Sequence, residues 1–205
     1  MVPVVEALVR ATDVPVSIDT TKSAVAAAAI DAGAVIVNDV SAGRADPDMF
    51  GLVAHRHVAL ILMHMAGEPR TMQDRPHYDD VVAEVGDFLI ERIGAAEDAG
   101  IDTGALAADP GIGFGKSAHH NLVLLAGLRA LVERVEVPVL VGTSRKRFLG
   151  DVVGGSDVPT ERDDATLATV VCAVGAGARI VRVHEVGPAV RAVALLDQLA
   201  RARAA

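Results

Sequence analysis

Tryptophan is absent from the 205 residues, tyrosine occurs once and phenylalanine four times, so aromatics make up only 2% of the chain. Its core must therefore be built from Ala, Val, Leu and Ile, a composition that suits buried parallel strands beneath alanine-rich helices. The hydrophobic share of 51% is ample for one such core, and the length fits a single domain over residues 1–205. Cysteine is nearly missing as well: Cys172 stands alone and cannot form an internal disulfide. It lies in the apolar, helix-like stretch TLATVVCAVGAG, where a small core residue rather than a nucleophile is expected. With no charged leader and apolar h-region ahead of the fold, a reducing cytoplasm is the expected location. Positive charge is not in excess either. The net charge of −8 argues against non-specific attraction to nucleic acid or an anionic membrane. No apolar run reaches the ~18 residues needed to span a bilayer.

What the chain does have is a repeat. Strand-like apolar runs fall at 14–18, 34–38, 58–64, 105–109, 139–143 and 180–184. Helix-like stretches lie near 22–32, 46–55, 79–99, 119–134 and 163–176, with a last one from 186 to about 203. The chain opens inside a further helix-like segment, VPVVEALVRAT, with no strand before it. Glycines in DAGA, DAG and GAGA mark helix ends.

Serial βα units fit an open doubly wound sheet or a closed (β/α)8 barrel. Nearly every strand ends in a residue with functional potential: Asp19, Asn38 with Asp39, His64, Asp109, the Ser144–Arg145–Lys146 run, and Arg182 with His184. A barrel gathers such groups onto one face, whereas an open sheet concentrates them at one switch point, so the barrel is the expected architecture. Six strands do not close an eight-strand barrel, and about 250 residues is the usual barrel size. The fold class is therefore α/β, a TIM-barrel type of about six βα units, short at its N-terminus.

The stretch ADPGIGFGK, residues 108–116, sets a carboxylate on a bare backbone. Taken alone it reads as a turn after a strand. It lacks the Walker spacing and the dinucleotide fingerprint. Its companions change that reading. VSIDTTKSAVAAAAIDAGAVIVNDVSAG, LILMHMAGEPRTMQ, DPGIGFGKSAHHNLVLL, VLVGTSRKRFLG and ARIVRVHEV, in this order and spacing from residue 4 to about 195, resemble the motifs of the dihydropteroate synthases of folate biosynthesis. The resemblance implies a transferase that joins 6-hydroxymethyl-7,8-dihydropterin pyrophosphate to 4-aminobenzoate and releases pyrophosphate. It also implies Mg2+ assistance and a homodimer.

The residue types suit that chemistry. A pterin edge presents N–H donors beside a ring carbonyl, so Asp109 suits the donors and a cation or amide the remainder. By the resemblance, Asp19, Asn38 and Lys146 complete the pterin pocket and Arg182 lies over the pterin face, with Met63 a candidate lining residue. Pro110, Gly111 and Gly113 are then expected to keep the backbone clear of the flat ring. Asp19 as a helix N-cap and Asn38 as a turn-former are the plainer alternatives. The resemblance places 4-aminobenzoate near Ser144, Lys146 and Phe114, the last of which also reads as ordinary packing. Arg182 and His184 alternate along one strand, with Val183 turned away, and are expected to draw off the diphosphate. The catalytic residues implied are Lys146, Arg182 and His184, acting electrostatically without a protein nucleophile. Arg145 either joins the anion-binding cations or holds its loop. His64 reads as a structural histidine. Arg70, Asp74 and the histidines show no metal-ligand spacing, so no metal site is expected from these residues.

The departures matter too. Members of the family begin with two strands whose loops carry NxTPDSF-like and GxESTRPG segments, and neither segment occurs in this sequence. The first carries the Asn that ligates Mg2+, the second a Thr-Arg pair for pyrophosphate. The expectation is that Met1 is internal, with roughly 60–70 residues before it. Two other readings stay open: a non-catalytic pterin-binding homologue, and a pterin-dependent methyltransferase domain, against which SRKRFLG and VRVHE count.

Overall fold

A computed structural model describes residues 1–67, 72, 76–154 and 157–204. Arg70 and Asp74 lie outside these described residues. Among the described residues six short strands form: β1 (Ser17–Asp19), β2 (Ile36–Asp39), β3 (Ala59–Met63), β4 (Leu106–Asp109), β5 (Leu140–Val141) and β6 (Ile180–Val181). β1 to β4 make one sheet in chain order and every pairing is parallel. β5 and β6 pair in parallel as a second sheet, and the bridge Ala108↔Val139 joins it to β4. Strand order thus runs with the chain and never reverses. That is the wall of a barrel; an open doubly wound sheet would show a switch point.

Side-chain alternation explains what each face does. Leu60 and Leu62 of β3, Leu106 and Ala108 of β4, and Val139 and Val141 around β5 join the large core under the helices. Between them Ile61, Ala107 and Leu140, with Ile36 against them, form a separate small cluster on the barrel's inner side. The next inward positions, at the C-terminal strand ends, are polar on β1, β2 and β4 and after β6, with Met63 on β3 the apolar member. Asp19 lies beside Asn38 in register, and Met63 beside Asp109.

The helices are α1 (Val2–Ala11), α2 (Ser23–Asp31), α3 (Met49–Arg56), α4 (Val81–Asp98), α5 (Ala118–Ala126), α6 (Leu128–Val135), α7 (Arg147–Val153), α8 (Asp163–Ala176) and α9 (Val186–Ala204). Their starts follow side-chain chemistry. Asp80 caps α4 by accepting from the N–H groups of Val82 and Ala83, and Ser117 with His120 forms a reciprocal cap on α5. The single helix expected near 119–134 is two. They meet at Gly127, where a Cβ would lie 2.7 Å from Val82 Cγ2; the chain bends there to pass close to α4. α7 was not expected, because seven residues show too little periodicity to stand out from the SRKRFLG motif. The strand expected over 180–184 ends at Val181, although the Arg182 N–H still donates to the Val141 carbonyl at 3.0 Å.

Among the described residues β1 and β6 are each paired on one side only. A cavity of about 990 Å³ runs between them, floored by Ile36, Ile61 and Leu140 and walled by Val186, Val190 and Val193 of α9. Val190 is 59% exposed. This is the open, apolar barrel edge expected from the strand count.

Candidate functional site

The polar strand ends converge. Asp109, at the end of β4, is buried, and its Oδ1 accepts the Gly111 N–H at 2.8 Å. Its Oδ2 accepts Arg182 Nη2 at 2.7 Å. Burial pushes the Asp109 carboxyl above the usual carboxylate range, against the pull of the Gly111 N–H and then of Lys146, Arg182 and Lys116. The Asn38 amide donates to Asp19 Oδ2 at 2.8 Å. Arg182 reaches toward both, with Nη1 at 3.7 Å from Asp19 Oδ2 and Nη2 at 3.5 Å from Asn38 Oδ1. Four of the sequence candidates, from four strands or strand ends, thus form one connected group.

Arg182 also links two cavities. Asp19, Asn38 and Arg182 face the large one; a smaller one of about 210 Å³ is lined by Asp109, Phe114, Ser144, Lys146, Arg182 and His184 among others. Lys146, the residue before α7, extends across this second cavity. Its ammonium lies 4.6 Å from the Phe114 ring centroid and donates to the Ile112 carbonyl. Burial pushes its pKa down to about 8, with Asp109 opposing and Arg182 assisting. The Ser144 hydroxyl lies 2.7 Å from His184 Nδ1 and accepts the His184 backbone N–H at 3.1 Å. Ser144 and His184 are therefore a pair. Val183, expected to turn away, lines the small cavity along with its neighbours, because regular strand geometry has already ended there.

Some candidates fall elsewhere. Met63 is buried with its Cγ 3.4 Å from where a Gly111 Cβ would lie, and it lines neither cavity. Arg145, weighed as an anion ligand, is committed: Nε and Nη2 each donate to Asp163 at 2.9 Å, and Nη2 also donates to Glu185 at 2.8 Å. It holds its loop and leaves the anion-binding group. Asp39 points out of the barrel and accepts from the Ser41 N–H and hydroxyl and from the Gly43 N–H, fixing the turn after β2. The glycines of the 108–116 loop answer to their own chain before any ring. A Cβ on Gly111 would stand 1.8 Å from the His64 carbonyl oxygen, and one on Gly113 2.8 Å from Lys146 Cδ; both have positive φ. His64 is structural as expected. It is buried, and burial followed by the charges of Lys116 and Arg44 pushes its pKa down to about 3, so it is neutral.

Sequence reasoning passed over Lys116, which is buried directly beneath the loop. Its only signal was position: a lysine closing a glycine-rich run that already held the key aspartate. Among the described residues no cluster of three His, Cys, Asp or Glu side chains could hold a metal ion.

An inward ring of carboxylate, amide and cations at the C-terminal face of parallel barrel strands is the kind of site that binds a flat polar heterocycle with an anionic group. The sequence profile of the family described as pterin binding enzyme matches residues 1–184. The chain is 48% identical over 200 residues to dihydropteroate synthase of Mycobacterium leprae, covering 94% of this chain and 69% of that protein. It is 43% identical over 198 residues to the mitochondrial folate synthesis bifunctional protein of Arabidopsis thaliana, covering 92% of this chain but 36% of that one. Among solved structures, Xanthomonas albilineans dihydropteroate synthase in complex with 7,8-dihydropteroate superposes with a TM-score of 0.89 at 46% identity, covering 97% of this chain and 72% of that one. The chain belongs to the dihydropteroate synthase family of pterin-binding enzymes.

Proposed function

We propose that this chain carries the pterin and 4-aminobenzoate sites of a dihydropteroate synthase, and that the reaction is transfer of the pterin methylene from pyrophosphate to the aromatic amine. The observation that carries this reading is the Asp109–Arg182–Asn38–Asp19 group on the barrel's inner side. A pterin's N–H edge is matched by the Asp109 carboxylate, and its ring carbonyl by the Lys146 ammonium. Arg182 lies across the space between Asp19, Asn38 and Asp109, so ring binding exchanges its ion pair with Asp109 for ligand N–H groups. The displaced guanidinium is then free to stack on the pterin and face the departing diphosphate.

His184, its Nδ1 engaged by Ser144, offers Nε2 to the same anion. The tautomer with a proton on Nε2 is the one compatible with Ser144 donating to Nδ1. Positive character on the methylene builds as the diphosphate leaves, and the amine then attacks it; no side-chain nucleophile is required. Phe114 under Lys146 supplies the apolar wall for the benzoate ring. Mg2+ belongs to the family expectation, but the carboxylates facing the site, Asp19 and Asp109, are engaged by Asn38 and Arg182 and do not gather as oxygen ligands.

The homodimer is part of the same proposal, with the exposed Leu195 and Leu199 of α9, one helical turn apart and on the side away from the cavity-lining Val186 and Val190, as apolar surface available for contact. So is a cytoplasmic location, resting on the solitary Cys172. Among the described residues no helix is long and apolar enough to cross a membrane. Pyrophosphate release from 6-hydroxymethyl-7,8-dihydropterin pyrophosphate and 4-aminobenzoate is the direct test. Release that depends on both substrates supports the proposal. Folded protein that binds a pterin but releases nothing would leave a non-catalytic pterin-binding homologue.

A further inference from the structure

Three glycines at alternate positions, Gly111, Gly113 and Gly115, all have positive φ, between 60° and 81°. The loop therefore turns its carbonyls in different directions, and each must find a donor. The Ile112 carbonyl meets Lys146 on the cavity side. The Gly115 carbonyl accepts the Tyr78 hydroxyl at 2.9 Å. The carbonyls of Gly111 and Phe114 turn the other way and both meet Lys116 Nζ, at 3.0 and 3.1 Å. The third contact of that ammonium is His64 Nδ1 at 2.9 Å. Burial pushes the Lys116 pKa down to about 7, with Asp109 opposing and Lys146 assisting; in the charged form its ammonium has three protons and no acceptor, so three acceptors satisfy it completely. A neutral His64 is the partner required, since an imidazolium would offer a second proton instead of a lone pair.

We propose that Lys116 is a positioning residue for the substrate site: its ammonium, seated on His64, clamps the Gly111 and Phe114 carbonyls and thereby sets where Asp109, Phe114 and Lys146 meet a ligand. Lys116 lines neither cavity, so it acts through the loop. The route is short. The Gly111 N–H donates to Asp109 Oδ1, and the carbonyl of the same residue is held by Lys116. The Phe114 carbonyl is held by Lys116 while its ring lies under the Lys146 ammonium. Two lysines thus pin one loop from opposite sides, one facing ligand and one facing core.

Two variants test the clamp, and one readout needs no ligand. Lys116→Met keeps the length and removes all three donors. Amide hydrogen exchange across residues 111–115 is expected to quicken at least tenfold in this variant, while the buried strand β3 keeps its protection. Unchanged loop exchange in a folded Lys116→Met protein would overturn the proposal, as would loss of protection spread equally over β3. The second readout rests on the pterin reading and uses 6-hydroxymethylpterin as the titrant. Lys116→Met and His64→Leu are each expected to weaken it about tenfold, whereas His64→Asn, whose side-chain oxygen is bonded to Cγ as Nδ1 is and can replace it as acceptor, keeps affinity within about twofold. Equal losses in the Leu and Asn variants would overturn the His64 seat. If the unaltered chain binds no pterin, the functional proposal fails while the exchange measurement still decides the clamp.

Discussion

The two sheets of the barrel wall repeat the same βα unit yet supply opposite chemistry. The four-stranded sheet, β1 to β4, provides the hydrogen-bond acceptors of the candidate site, Asp19, Asn38 and Asp109, on strands of three or four residues within one continuous parallel sheet. The two-stranded sheet and its loops provide the cations Lys146 and Arg182 and the imidazole of His184, on strands of two residues joined to the rest, among the described residues, by a single bridge. The Asp109–Arg182 ion pair crosses between them. On the proposed function, recognition of a neutral ring edge demands fixed acceptors, and these sit on the better-anchored part; the charge proposed to follow a departing anion sits where the backbone is less constrained.

Breaking the anchored side should cost most. Gly111→Ala places a methyl on the His64 carbonyl at positive φ, and a loss of roughly 3 kcal/mol or more in unfolding free energy is expected from denaturant titration. Asp109→Ala leaves Arg182 and the Gly111 N–H without their acceptor and should weaken pterin binding about 100-fold by calorimetry, roughly 3 kcal/mol for charge-assisted hydrogen bonds. The next effect depends on pH. The His64 pKa is depressed in the fold to about 3, so below its unfolded value near 6.5 the unfolded chain takes up a proton that the folded chain does not. Stability should therefore fall as pH drops from about 6.5 toward 3, by about 2 kcal/mol at pH 5 from this group. His64→Gln should flatten that part of the acid-denaturation curve.

On the cation side the effects should be smaller and more selective. His184→Ala is expected to slow pyrophosphate release about tenfold, ~1.4 kcal/mol, while pterin affinity stays unchanged. Val190→Ala on the exposed face of α9 should change stability by less than ~0.5 kcal/mol. An effect on stability at Val190 as large as that at Gly111 would erase the contrast between the two sides.

The contrast also shows what the sequence made legible. Strand ends in Asp19, Asn38, Asp109 and Arg182 were readable because a period-two pattern fixes which residues share a face, and because residues of this chemistry are rare at the ends of apolar runs. The direction of strand pairing and the barrel wall followed from the serial repeat. Contacts between distant backbone atoms were not readable. The demand for Gly111 comes from the His64 carbonyl, 47 residues away in the chain, so a reading centred on the ligand assigned it to the ring. Lys116 was hidden for the same reason, since its partners become acceptors only once alternate left-handed glycines turn the loop carbonyls. Arg145 stayed open between ligand and loop brace in the sequence, because Asp163 and Glu185, which engage it, lie 18 and 40 residues on. Met63 obeyed the strand pattern but sits beneath the loop rather than beside a cavity.

The central claim is that the inward group around Asp109 is a pterin pocket. Its most direct test is calorimetric titration of 6-hydroxymethylpterin into the unaltered chain and into Asp109→Asn, which keeps the shape of the side chain but replaces one acceptor oxygen with a donor. One-site binding to the former and none to the latter is the expected result. Equal affinity for the two proteins, or none for the first, would contradict it.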